Sequence, residues 1–252
     1  MASGPVVVFG GRGMVGAAIC RELVRRGVTP VIAASRSAGE GAGGPIDEAV
    51  VQKSGVDALK PETLAPVLAG AKGVVISIGL PPWIRDKDLA KQMNGITNVN
   101  ILRAAAEQKV PRVVLVNATM PSWSLISGYR EGKELAEQEA LNYPATAGQP
   151  DAGVLILKPG GIAGTRYDIV AGRGVPLGAM MVPARVLLKL FAYPCSLVEK
   201  WLPSCFGGVL RPPVYVEEMA VAAADALGDS AAKGVTTLGP EKLVGYVPST
   251  TS

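Results

Sequence analysis

Histidine does not occur anywhere in the 252 residues. Its absence removes the Ser-His-Asp triad, the Cys-His pair, the HExxH zinc site and most catalytic zinc spheres together, and no metal site is expected. Cysteine is scarce as well: Cys20, Cys195 and Cys205 are odd in number and lack CxxC spacing. They read as ordinary core thiols in a reducing compartment. Only three phenylalanines are available to stack on bases, and the net charge of +4, from 25 basic against 21 acidic residues, is scattered rather than gathered into basic runs. Nucleic acid is therefore not an expected partner. The stretch from Met1 to Pro5 leads straight into an apolar run, so no signal or transit peptide is expected.

Apolar residues make up 48% of the chain and charged ones 18%, a globular composition with one good core. The organising stretch is Val6-Val7-Val8-Phe9 followed by Gly10-Gly11-Arg12-Gly13-Met14-Val15-Gly16. A β-branched run, a glycine turn and an apolar-periodic segment predict strand, tight turn and helix, the context a dinucleotide-binding fingerprint requires. Glycines at 11, 13 and 16, or equally at 10, 13 and 16, give the turn its unusual dihedrals and let the backbone approach a pyrophosphate. The helix that follows offers free N–H groups and the positive end of its dipole.

Helix A is expected over Gly13 to Arg26 and strand two at Val31–Ala34. Where an NAD site carries an acidic residue, strand two ends in Ala34-Ser35-Arg36-Ser37. A guanidinium and hydroxyls suit a ribose 2′-phosphate, with Arg12 in reach of the same group, so NADP(H) is the expected cofactor. A Gly-rich mobile loop is expected over 38–45, a weak third strand at Ala49–Val51, and Asp57 near the adenine edge. Strand four runs Gly73–Ser77, with Ser77, Ile78 and Gly79 beside the cofactor. One long helix D from Asp88 to Gln108, strand five at Arg112–Val116 and strand six at Gly153–Leu157 complete a doubly wound parallel α/β sheet of Rossmann type. A last helix over Val216–Leu227 and a short strand near Thr236–Leu238 follow. A core of residues 1–160 is expected, with a C-terminal extension, 161–252, packed on it. That extension contains an apolar insert, 175–210, in which Val186, Leu187, Leu190 and Phe191 share a helical face. The insert is too short for a transmembrane span, and reads as a helix covering the substrate side, an interface or a membrane-surface patch.

After strand five comes Tyr129-Arg130-Glu131-Gly132-Lys133, which sets tyrosine and lysine on one helical face. Hydride reduction of a carbonyl needs a proton donor at the oxygen, and a neighbouring ammonium lowers the tyrosine pKa toward working pH.

With these motifs in order, the chain resembles the extended or atypical branch of the short-chain dehydrogenase/reductase superfamily. The likeness rests on Gly10-x-x-Gly13-x-x-Gly16, Tyr129-x-x-x-Lys133, Lys158-Pro159-Gly160 before Gly164-Thr165-Arg166, and Pro212-Pro213-Val214-Tyr215-Val216-Glu217. The runs Asn94-Gly95 to Asn98-Val99-Asn100 and Gly128-Tyr129 to Ala136-Glu137 are similar to mitochondrial and plastid NAD(P)-binding proteins of fungi and plants. Among these are reductase-like proteins linked to coenzyme Q and the nucleotide-binding accessory subunits of respiratory complex I. The resemblance implies cofactor contacts from Asn117, Tyr129, Lys133, Lys158, Pro159 and Gly160. It also implies a catalytic Ser just after strand five, where Asn117-Ala118-Thr119 stands instead. Thr119, or Ser122 or Ser124, then supplies the hydroxyl, or Tyr129 and Lys133 serve only to hold the nicotinamide ribose.

Two functions are consistent with this sequence. One is an NADPH-dependent reductase of an apolar carbonyl or quinone-like substrate, with Tyr129 as acid, Lys133 as its tuner and Thr119 or Ser122 as oxygen anchor. The other is an NADPH-holding accessory subunit of a mitochondrial membrane assembly, on the matrix side of the inner membrane, or of a plastid one, docked through 175–210. The missing serine and the apolar insert favour the second.

Overall fold

The computed structural model describes residues 4–37, 39, 41–120, 127–149, 151–167, 174–176, 186–188, 190–191, 195, 198, 201, 210–228 and 233–247. The Val/Ile runs form the strands of one seven-stranded, wholly parallel sheet: β1 (Val6–Phe9), β2 (Val31–Ala34), β3 (Val50–Lys53), β4 (Gly73–Ile76), β5 (Arg112–Val116), β6 (Gly153–Leu157) and, at the far edge, a strand near the C-terminus (Gly234–Leu238). Their order is third, second, first, fourth, fifth, sixth, last. Continuous apolar runs suit strands covered on both faces, and β1, β4 and β6 are buried at every position.

On one face lie α1 (Met14–Arg25) and a later helix, Val216–Ala226, which packs along it. Arg26 joins the two, its Nη1 donating to Asp225 Oδ1 at 2.5 Å. On the other face lie α2 (Ala65–Leu68), α3 (Lys87–Lys91), α4 (Thr97–Glu107) and α5 (Ser127–Thr146). The core is correspondingly double. Phe9, Leu64, Ile76, Ile101, Leu115 and Tyr143 fill one side, and Val8, Ile19, Leu23, Val114, Leu157 and Met219 the other. Two small sheets stand apart from the main one: β7 (Ile162–Ala163) pairs in parallel with Val214–Tyr215, and β8 (Thr165–Tyr167) pairs antiparallel with β9 (Gly174–Pro176).

Three expectations are revised. The single helix D is two helices, α3 and α4, joined by a π-turn at Gln92–Ile96. The apolar period runs through the join, so the sequence shows no break there. The turn lies where the backbones of this segment and α5 touch: a methyl on Gly95 would lie 2.7 Å from Gly132 Cα. Next, the Gly-rich stretch is held to the first turn at Gly43, whose N donates to Arg12 O at 2.9 Å and whose O accepts from Arg21 Nη1 at 3.2 Å. Finally, the C-terminal strand is longer than expected and continues the central sheet through its pairing with β6. Most of the apolar insert, 175–210, lies outside the described residues, as do Ser122 and Ser124.

Candidate active site and dinucleotide groove

The sheet order reverses between β1 and β4, and the loops leaving their carboxyl ends diverge there to leave a crevice. Within it is a groove of about 250 Å³ lined by Gly10, Gly13, Ser35, Arg36, Asp57, Ser77, Ile78 and Gly79. Eight of the sequence-predicted residues thus come together. Phe9, Ala34, Val56, Ala58, Leu80, Met93 and Thr97 complete the wall.

The glycines divide their work. Gly10 sits at φ +76°, and a methyl there would lie 2.5 Å from Ser77 O, so the turn and the approach of β4 both require glycine. Gly16 meets Gly10 O so closely that any side chain would collide, which presses α1 onto the turn. At Gly13 a methyl would meet only Gly10 O, at 3.2 Å, so the space above it is open toward the groove. The triplet that matches the fingerprint is therefore 10, 13 and 16, while Gly11 packs on Ala33. Gly13 caps α1, and the N–H groups of Met14, Val15 and Gly16 in the first turn have no intrahelical acceptor. A pyrophosphate above Gly13 fits that cradle.

At the end of β2, Arg12 Nη1 donates to Ser37 O and, at 3.0 Å, to Ser37 Oγ. Ser35 Oγ donates to Ser37 O at 2.7 Å. Arg36 is exposed at the groove's rim. Asp57 lines the groove while its Oδ1 accepts Leu59 N.

Beside Gly79 of the groove comes Lys133, which with Tyr129 forms the Tyr–Lys pair on the first turns of α5. Lys133 is buried, its Nζ donating to Val116 O at 3.1 Å and lying 5.8 Å from the centre of the Tyr129 ring. Burial pulls Lys133 down to about 8, and burial pushes Tyr129 up to about 12. The expected lowering of the tyrosine by its lysine is not what this arrangement gives: burial alone sets the direction, and Tyr129 is a protonated phenol at neutral pH. Asn94, not anticipated as a site residue, is wholly buried on the π-turn, and its Oδ1 has no partner among the described residues. A methyl on Gly79 would lie 2.6 Å from that oxygen and 3.5 Å from Lys133 Nζ, so both polar groups border the same space. A run of Met93, Asn94 and Thr97 on one helical face was the available signal.

The remaining predicted residues are bonded largely to one another and to α5. Asn117 Nδ2 donates to Lys133 O and Glu137 Oε2, which ties β5 to α5, and its buried Oδ1 is unpartnered. Lys158 Nζ is held by both oxygens of Glu137 at 2.7 and 2.8 Å. Thr119 Oγ1 donates its one proton to Lys158 O at 2.8 Å, and Thr119 N to Pro159 O at 2.9 Å. Gly160 is exposed beyond them. A second hollow, of about 230 Å³, opens on the outer side of Tyr129 between the β4–α3 loop and the start of α5.

Residues 10–138, just over half the chain, match the profile of the NAD(P)H-binding family. The chain belongs to that family. A chloroplastic protein of Arabidopsis thaliana, itself uncharacterised, is 32% identical over 250 residues, covering 92% of this chain and 74% of its own. Among solved structures, the Bordetella bronchiseptica enzyme WbmF in complex with NAD+ superposes with a TM-score of 0.64 at 19% identity, over 94% of this chain and 73% of that one. The UDP-N-acetylglucosamine 4-epimerase of Methanobrevibacter ruminantium does so with 0.62 at 17%, over 94% and 77%. These likenesses establish the α/β fold, with its parallel sheet flanked by helices. No helix among the described residues is long and apolar enough to cross a membrane.

Proposed function

We propose that this chain is an NADPH-dependent reductase of a small carbonyl compound, of short-chain dehydrogenase/reductase type. The observation that carries the reading is the position of Tyr129, which borders an open hollow and lies 5.8 Å from the Nζ of Lys133, itself beside Gly79 of the groove. The open cradle above Gly13 and the buried, unpartnered amide oxygen of Asn94 beside Gly79 and Lys133 fit a dinucleotide laid along the groove. Gly10, Gly13 and the first turn of α1 hold its pyrophosphate, Asp57 borders the adenine, and Lys133 and Asn94 face the nicotinamide end. Arg36, with Arg12 and the Ser35 and Ser37 hydroxyls, favours a phosphorylated ribose. When bound, the reduced nicotinamide supplies a hydride to the carbonyl carbon.

The protein's own part is proton delivery and placement. Tyr129, neutral at working pH, donates its phenolic proton to the carbonyl oxygen as the alcohol forms. Lys133 fixes the ribose side and supports the phenolate left behind. Thr119 serves as a brace between β5 and β6 rather than a donor to substrate, because its proton is committed to Lys158 O.

A second reading, an accessory subunit that retains NADPH and docks on a membrane assembly with a quinone-like partner, is favoured by exposed Val186, Leu187, Leu190, Phe191 and Trp201. The chloroplastic relative supports a plastid over a mitochondrial setting for either function. Replacement of Tyr129 by Phe separates the two. Carbonyl-dependent NADPH oxidation falls by at least about a hundredfold, as for loss of a general acid, while NADPH affinity stays within about twofold. Unchanged turnover removes Tyr129 from the chemistry, and no turnover in the unsubstituted protein with any carbonyl leaves the accessory reading.

A further inference from the structure

The hollow beside Tyr129 has a chemical character of its own. It is lined by Trp83, 71% exposed on the β4–α3 loop, together with Arg85, Lys87, Ser127 and Tyr129. No carboxylate lines it among the described residues. Of the acidic neighbours, Asp86 caps α3 through Leu89 N and Glu131 is paired with Lys91 at 3.0 Å, while Asp88 is exposed in the first turn of α3 and is not among the residues lining the hollow. Lys91 first, then Arg130 and Lys87 at longer range, hold Glu131 below the usual carboxylate range. Arg130 is taken up by Glu134 at 3.6 Å. Neither Arg85 nor Lys87 makes an ion pair among the described residues.

Two cations without a paired anion and one exposed indole face, set around a space smaller than the roughly 300–1,000 Å³ of drug-sized sites, define a ligand. We propose that this hollow takes a small carbonyl compound carrying a carboxylate or phosphate group. Arg85 and Lys87 hold the oxyanion, Trp83 carries the planar or apolar body, and the carbonyl is turned to Tyr129. The carbonyl end of this assignment rests on the reductase reading; the oxyanion end does not. It also sets the reaction apart from reduction of a neutral quinone-like molecule, for which cations at the mouth bring nothing.

The probes are para-carboxybenzaldehyde and its methyl ester, which share ring and aldehyde and differ in charge. Calorimetry on the NADP+-loaded protein gives binding, and NADPH oxidation gives turnover. The carboxylate form is expected to bind about fivefold or more tightly than the ester, the range of one or two partly exposed charge-assisted contacts. In the double variant Arg85→Gln/Lys87→Gln that preference disappears, with KM rising more than kcat falls. In the single variant Trp83→Ala both probes weaken together. Charge-dependent binding without turnover keeps the oxyanion assignment and overturns the reductase reading. Equal binding of both probes, no binding of either, or a preference that survives the double substitution overturns the oxyanion assignment, whatever the turnover.

Discussion

Replacing Lys133 by Met will make the cofactor-free protein more stable near neutral pH while removing its activity. The side chain is 6% exposed and its ammonium has a single recorded acceptor, Val116 O. Burial takes it from 10.5 to about 8, and at about 1.4 kcal/mol per pH unit the charged form in the fold is disfavoured by about 3 kcal/mol. Below pH 8 the folded chain carries that penalty in full. Between 8 and 10.5 it has shed the proton while an unfolded lysine keeps it, so stability rises with pH across that window and levels off above it. Methionine fills a similar volume without the charge, and leaves the Val116 carbonyl unpaired at a cost of about 1 kcal/mol. The net gain at pH 7 is therefore about 1–3 kcal/mol, a shift of about 1 M in a urea midpoint. Urea unfolding of both proteins from pH 7 to 10 tests this. The gap between them narrows as pH rises through 8, because only the unsubstituted protein gains. A variant that is less stable at pH 7, or a gap that does not change with pH, refutes the claim that the ammonium is desolvated.

Further outcomes concern the cofactor and the frame around it. Substitution of Arg36 by Asp is expected to weaken NADPH by about ten- to a hundredfold and NADH far less, since a charge-assisted contact to phosphate is worth about 1.5–3 kcal/mol; equal losses in a fluorescence titration count against phosphate selection at that position. Adding a methyl at Gly132, which would lie 2.9 Å from Lys91 O and 3.0 Å from Gly95 N, should lower stability by about 1–3 kcal/mol and reduce turnover by moving α5. A thermal midpoint within a degree of the parent shows that the backbones have room to part.

The parts of this chain legible in its sequence are those governed by local chemistry. Val6–Phe9, Gly10, Gly13 and Gly16 carry strand, turn and helix in ten or so consecutive positions, and the strands at Val31, Gly73, Arg112 and Gly153 announce themselves by uninterrupted apolar runs. Groove residues such as Ser35, Arg36 and Asp57 follow because they sit at strand ends in a known topology. What depends on distant partners was not legible. Asn117, Glu137 and Lys158 are a single polar cluster drawn from β5, α5 and the end of β6, and nothing in their spacing shows that they face one another. The π-turn was hidden because an extra residue in a helix leaves its apolar period nearly intact over so short a stretch. The tyrosine pKa went the other way from expectation because burial, a property of the whole fold, sets its direction rather than a neighbour four positions along.

Tyr129 and the groups assigned to substrate recognition are anchored by different means. The helix bearing the phenol is braced main chain to main chain where Gly95 and Gly132 touch and where Gly128 meets Lys87, whereas Trp83 and Arg85 sit on the connection before α3 with their side chains exposed. Divergence among relatives should consequently be lopsided. The bond chemistry stays put while the preferred molecule wanders, and redesign of selectivity can begin at 82–85, ahead of the point where Lys87 touches the helix of the proton donor.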